Sequence, residues 1–257
     1  MAKTIKSVVG ELMKADKVAL VTGGSRGIGR AVCLGLAEYG WSVAFCYKTS
    51  ELDAKATMDD LEKYGTKVDS TQCDISDPEA AEKWVLSIEE EFGHIDALVN
   101  CAGTYHRVNL MEETVLGWND MFDNNLHPLF YLSRSVIPVM AKNKWGRIIS
   151  FSMANAEKLE SNPYVTAHYI AKAGIIGLMR SFATLVAPDG ITANTISLGF
   201  INSGGLPADE ISIMAKRIPA GYVGDKEDVV STVKFLLSDE AKYINGANLQ
   251  MSGAWGV

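Results

Sequence analysis

Val18-Ala19-Leu20-Val21-Thr22-Gly23-Gly24-Ser25-Arg26-Gly27-Ile28-Gly29 is the stretch whose reading decides the fold. A short apolar run passes through glycines directly into a helical pattern that continues from Ile28 to Tyr39, which is how a βαβ unit opens. Gly23, Gly27 and Gly29 permit a tight turn, close approach of the backbone to a pyrophosphate and close packing of helix on strand. The helix start adds N–H groups that have no partner within the helix and so suit an anion. An isolated glycine triplet fits an ordinary βα turn equally well. Its place in the first unit of an alternating chain favours a dinucleotide.

Working outward, the alternation continues. Ser42 to Tyr47 precedes a helical pattern from Leu52 to Tyr64, and Lys67-Val68 precedes a helix from Pro78 to Phe92. Ala97 to Val99, a helix from Gly117 to Met140, Arg147 to Phe151, a helix ending near Val186 and Ile191 to Ile196 follow in turn. Short apolar runs bridged by helices mean parallel strands covered on both faces. The expected architecture is α/β, a three-layer doubly wound Rossmann fold with a parallel sheet of about seven strands. One domain spans residues 17–257, with residues 1–16 as an N-terminal extension and a glycine-rich substrate loop at 199–224. Ile5, Val8, Val9, Leu12 and Met13 recur at helical spacing in the extension, an amphipathic pattern that caps its own core or a neighbouring subunit.

Composition removes several function classes. The 257 residues are 47% hydrophobic and 21% charged, with a net charge of −7, so a packed core is expected and disorder is not. No basic stripe suits a nucleic-acid backbone, and no run of eighteen apolar residues suits a membrane span. Cys33, Cys46, Cys73 and Cys101 form no CxxC pair, which fits a reducing cytoplasm and neither a zinc site nor a disulfide framework. No metal-ligand spacing and no Gly-x-Ser-x-Gly elbow appear, so a metal is not expected and a hydrolase is not supported. The end of the second strand reads Phe45-Cys46-Tyr47-Lys48, without the carboxylate that accepts from the ribose 2′-hydroxyl of NAD. Lys48 and Arg26 offer cations there instead. They suit a 2′-phosphate, so NADP(H) is favoured over NAD(H).

From about residue 15 to its end the chain resembles the short-chain dehydrogenase/reductase family, most closely its 3-oxoacyl-carrier-protein reductase and enoyl-reductase-like members. Thr22 to Gly29 matches the TGxxxGxG turn, in which Ser25 and Ile28 also belong to the cofactor site. Asp74 and Ile75 stand where the family meets the adenine, and Asn100-Cys101-Ala102-Gly103 matches its NNAG, placing Asn100, Ala102 and Gly103 at the cofactor. Asn125 matches the helix asparagine that holds a proton-relay water. Leu198 to Ser203 resembles PGxxxT, so Ile201 and Ser203 are expected at the nicotinamide carboxamide. The resemblance also implies a small-molecule or acyl-carrier substrate and a homotetramer built on long paired helices.

The family's reducing centre is a serine near the end of the fifth strand followed by YxxxK on the next helix. Aligned on Gly146 to Met153 and on Lys172-Ala173-Gly174, the serine position falls on Met153 and the tyrosine position on His168, while Lys172 is kept. Tyr169 stands three residues before Lys172 instead of four. At about 100° per residue those two spacings lie on opposite flanks of the lysine. Three readings stay open. His168, its pKa pushed down by Lys172 and a positive nicotinamide, polarises the substrate oxygen with a neutral N–H. Alternatively Tyr169 or Tyr164 supplies the proton; enoyl reductases of the family use a tyrosine seven residues before the lysine, and Tyr164 lies eight before. In the third reading the centre is altered or inactive and the protein binds a nucleotide or assembles with partners. Met153 suits an acyl chain better than an oxyanion, and Tyr105 and His106 are expected at the substrate mouth. His94 and His127 read as surface or packing residues, and the stripe from Met121 to Leu132 reads as core or interface.

Overall fold

The computed structural model describes residues 17–204 and 207–256. The expected extension, residues 1–16, lies outside the described residues. Strands β1 (Val18–Thr22), β2 (Ser42–Tyr47), β3 (Val68–Gln72), β4 (Ala97–Asn100), β5 (Gly146–Met153) and β6 (Ile191–Leu198) alternate with helices. These helices are α1 (Gly27–Glu38), α2 (Glu51–Leu61), α3 (Pro78–Phe92), α4 (Val115–Asn125), α5 (His127–Lys142) and α6 (Thr166–Val186). Beyond them lie β7 (Ile201–Asn202), α7 (Ala208–Ala215), β8 (Gly224–Asp225), α8 (Lys226–Leu237) and β9 (Asn248–Met251).

Seven strands form one parallel sheet in the order β3-β2-β1-β4-β5-β6-β9. The strand order reverses between β1 and β4, and ligands of such sheets bind in the crevice this leaves at the strands' carboxyl ends. All five residues of β1 are buried, because helices cover both faces of a parallel sheet. One apolar cluster joins α3, α5 and α6 to one face, with Trp84, Leu132 and Met179 at its heart. The other joins α1 and α8 to the opposite face through Leu36, Phe45 and Leu236. This is the doubly wound Rossmann architecture.

Three features differ from the sequence pattern. The helix expected from Gly117 to Met140 is two helices, divided at Leu126. Pro128 stands in the first turn of α5, where its missing N–H costs nothing, so the chain restarts a helix there and leaves Asn125 at the end of α4. The glycine-rich stretch at 199–224 carries regular structure: α7 lies within it, and Ile201 and Asn202 of β7 pair in parallel with Gly224 and Asp225 of β8. Finally, α8 and β9 complete the fold beyond the last strand visible in the pattern. Among the described residues one helical stretch, Thr166–Asp189, is long and apolar enough to cross a membrane. Ala171, Ile175, Met179 and Ala183 pack it into the core, which makes it a core helix.

Candidate active site

The glycine turn is fixed by sterics. Gly23 and Gly27 have φ values of +65° and +58°, the left-handed region that favours glycine. A Cβ on Gly24 would stand 2.5 Å from Phe45 Cβ, and one on Gly29 would run into the Gly23 carbonyl oxygen. Thr22 Oγ1 accepts the Ala102 N–H at 2.9 Å, tying the ends of β1 and β4 together across the crevice. Arg26, the residue before α1, makes no side-chain cap, so the first-turn N–H groups of α1 are left for a ligand.

Around this turn is a cavity of about 410 Å³. Gly23, Ser25, Arg26, Gly27, Ile28 and Gly29 line one wall; Lys48, Asp74 and Ile75 line the adjoining one; Ala102, Gly103 and Ser203 close it. Twelve of the residues expected at a cofactor thus share one crevice, and its backbone-lined turn and basic end fit a dinucleotide. Three expected residues do not line it. Asn100 Nδ2 donates to the Ile149 carbonyl at 3.4 Å, inside the sheet. Ile201 faces a second cavity with Phe200 and Ile218. Lys172 is partly buried, with its Nζ close to Gly103. Sequence reasoning missed Thr49, Ser50, Asn124 and the thiols Cys46, Cys73 and Cys101, which also line the crevice. Burial pushes the Cys46 and Cys101 thiols well up and Cys73 to about 11, so all three stay neutral.

Lys48 Nζ pairs with Asp74 Oδ2 at 2.8 Å. Partial burial works against the Asp74 charge, yet the Lys48 ammonium and the Ser76 hydroxyl and N–H outweigh it and hold the carboxyl below its usual range. Lys48 is therefore already engaged. Arg26 is exposed and makes no ion pair among the described residues.

Beside the crevice, next to its Gly103 and Thr104 wall, His168 and Lys172 stand one turn apart on α6. A Cβ on Gly103 would lie 2.7 Å from Asn125 Oδ1 and 3.4 Å from Lys172 Nζ, so both side chains converge on that glycine. Lys172 Nζ donates to the Phe151 carbonyl at 3.1 Å, and burial lowers its pKa to about 8. Asn125 Nδ2 donates to Met121 O at 2.9 Å and to Thr104 O at 3.1 Å, while Asn125 Oδ1 is buried without a protein partner. His168 Nδ1 lies 3.1 Å from the same Thr104 carbonyl, and the Tyr105 ring meets His168 edge-on with centroids 5.1 Å apart. Burial first and the Lys172 charge second lower the His168 pKa to about 4. Thr104 joins the Asn125 and His168 side chains through its carbonyl alone, so no side-chain signal in the sequence announced it.

The tyrosines are not brought to this point. Tyr169 Oη donates to Asn155 O at 2.8 Å and accepts the Glu160 N–H at 2.9 Å, which uses its hydroxyl to hold the loop after β5. Tyr169, expected among the catalytic residues, is thus not brought to Gly103 and Thr104, in keeping with the opposite-flank geometry of its spacing. Tyr164 is half exposed and its ring lies under Arg107, 5.1 Å from the guanidinium carbon. Met153 is the last residue of β5, and the neighbouring Ser152 hydroxyl turns to the Lys172 carbonyl at 2.7 Å. His106 Nε2 meets Glu113 Oε2 at 2.5 Å, in the loop that carries Tyr105 past His168.

A glycine-lined crevice at the switch point of a parallel sheet, with a partly buried lysine and a buried asparagine meeting at its Gly103 wall, defines a dinucleotide-dependent oxidoreductase. The chain belongs to the short-chain dehydrogenase/reductase family: the family described as Enoyl-(Acyl carrier protein) reductase matches residues 23–254. The 3-oxoacyl-(acyl-carrier-protein) reductase FabG of Staphylococcus aureus strain Mu50 is 36% identical over 94% of this chain and 98% of its own length. The protein of the same name from Escherichia coli K12 is 38% identical over 92% of this chain and 96% of its own. A crystal structure of a protein described as a short-chain alcohol dehydrogenase, from Sinorhizobium meliloti 1021, superposes with a TM-score of 0.86. It is 29% identical and covers 93% of this chain and 96% of that one.

Proposed function

We propose that this oxidoreductase uses NADP(H) to interconvert a carbonyl and a hydroxyl group on a fairly apolar acyl-thioester substrate, with His168 in the tyrosine's place. The observation that carries this reading is the convergence of His168, Lys172 and Asn125 on Gly103 and Thr104, next to the crevice. The names of the FabG relatives support an acyl-carrier substrate. The outward position of Tyr164 favours a carbonyl over the enoyl group that the family description names. When bound, the nicotinamide supplies or takes the hydride.

The chain's own residues hold and orient. First-turn N–H groups of α1, with Ser25, Ile28 and the glycines, take the pyrophosphate. Arg26 takes the 2′-phosphate, with Lys48 shared between it and Asp74 and with Thr49 and Ser50 alongside. Ile75 packs on the adenine, Ser203 holds the carboxamide, and Lys172 reaches the ribose past Ala102 and Gly103. Asn125 Oδ1, buried and unpartnered, is the acceptor for a relay water. Met153, Tyr105 and His106 border the substrate. Exposed Val115 and Leu116 on α4 and Ile170 and Leu185 on α6 support a homotetramer, and we place the protein in the cytoplasm without nucleic-acid or membrane partners.

Titration with NADPH and NADH, followed by turnover on 3-oxoacyl and enoyl thioesters, tests the reading. NADPH should bind at least tenfold more tightly, and oxoacyl turnover should exceed enoyl turnover. Binding without turnover on any substrate would favour the second reading, a nucleotide-binding or assembly protein. The loss of both usual hydroxyls, at Met153 and His168, is the observation on that side.

A further inference from the structure

We infer that Thr104 fixes His168 as a proton acceptor, so that the group this site receives at His168 is a hydroxyl and the poised reaction is oxidation of an alcohol. The inference rests on the carbonyl–hydroxyl chemistry proposed above and sets its direction. A backbone carbonyl has no proton to give, so the contact between His168 Nδ1 and Thr104 O requires the proton on Nδ1. In a neutral ring Nε2 then carries a lone pair. Among the described residues Nε2 has no hydrogen-bond partner, and it is not sealed from solvent, so it is left open to an incoming group.

The surroundings point the same way. Incoming carbonyl oxygen needs donors, and the usual two are missing: Met153 has a thioether, and the Tyr169 hydroxyl is committed to Asn155 and Glu160. An incoming hydroxyl needs an acceptor, which Nε2 supplies. The titratable groups facing the ring are Lys172 on α6 and His106 on the preceding loop, the latter paired with Glu113; Tyr105 covers the ring edge. Both bases act against protonation of His168. The step balances: the O–H bond breaks and its proton passes to Nε2. The carbon–hydrogen bond gives its electron pair and hydrogen as hydride to the oxidised nicotinamide, and a C=O bond forms. Running backwards, the same path needs the imidazolium, so reduction is starved of its acid as pH rises while oxidation is not.

The test uses the full chain with NADP⁺ bound and ¹⁵N-labelled histidine. Nitrogen NMR should show His168 as the Nδ1–H tautomer at pH 7, identified by the signal lost in His168→Asn. That variant keeps an N–H for the Thr104 carbonyl and loses the Nε2 acceptor. An Nε2–H tautomer or an imidazolium at pH 7 would overturn the inference whatever the activity. Rates on a 3-hydroxyacyl thioester with NADP⁺ and on the matching 3-oxoacyl thioester with NADPH supply the second readout. Between pH 6 and 8 oxidation should be level while reduction falls about tenfold per unit; a level reduction rate would contradict the assignment. Absence of turnover in both directions would instead sink the proposed function and leave the tautomer to be judged by the spectrum.

Discussion

The glycine turn lines the crevice, the His168 centre adjoins it at Gly103 and Thr104, and the two are built on different principles. At the turn, almost every specification is steric: Gly23 and Gly27 need positive φ, and Gly24 and Gly29 have no room for a Cβ. At His168 the specification is chemical. The ring is set by a carbonyl 64 residues away, and its behaviour depends on which nitrogen carries the proton. A backbone-made site persists while side chains change around it. A side-chain-made site alters its chemistry with one substitution on an undisturbed helix.

That contrast predicts a graded series of effects. Gly29→Ala should be the most damaging, because the new methyl meets the rigid Gly23 carbonyl; a stability loss of about 3 kcal/mol or more and loss of cofactor binding are expected by denaturant unfolding and titration. A stable variant that still binds would break the steric account.

Next comes pH. The folded state holds the His168 pKa near 4 against an ordinary 6.5, so in that window the unfolded chain binds the extra proton and stability falls as pH drops. The shift corresponds to about 3 kcal/mol lost between pH 6.5 and 4, as about 1.4 kcal/mol accompanies each unit. Unfolding curves of His168→Phe should lack that loss, and an identical acid response in both proteins would count against the buried neutral ring. Lys172, lowered to about 8, acts in the same sense between pH 8 and 10.5, where stability should rise.

Arg26→Ala sharpens the cofactor end. Removing one charge-assisted contact costs about 1.5 to 3 kcal/mol, so NADPH affinity should fall by about 10- to 150-fold while NADH changes little. Equal losses would remove the 2′-phosphate assignment. Tyr169→Phe should have the smallest effect: about 1 to 2 kcal/mol of stability, from the Asn155 and Glu160 backbone groups left unpartnered, with turnover retained. Loss of turnover greater than loss of stability would return Tyr169 to the chemistry.

How much of this was legible beforehand follows the same division. Strand, glycine turn and helix at Val18 to Gly29 could be read directly, because hydrophobic period and glycine placement are local. The break after Asn125 was harder, since Pro128 announces a bend without saying whether a helix continues. Lys48 showed as a cation, yet its pairing with Asp74 crosses from β2 to the end of β3 and belongs to the fold. The Thr49-Ser50 pair ahead of α2 has the residue types of a helix start, but that local signal does not say that the two line the crevice. At the catalytic end the sequence showed that Ser and Tyr were missing and left three readings standing. Our proposal among them leans on the Tyr169 hydroxyl bonds and the Thr104 carbonyl, neither of which any spacing encodes.

The most direct test of the account is the rate of NADP⁺-dependent oxidation of a 3-hydroxyacyl thioester at pH 7 by wild type and His168→Asn, with NADP⁺ affinity measured alongside. Removing a general base lowers rates by about 10²- to 10⁴-fold. A loss of that size in kcat with cofactor affinity held within about threefold is the result expected. An unchanged kcat would contradict the assignment of proton transfer to His168.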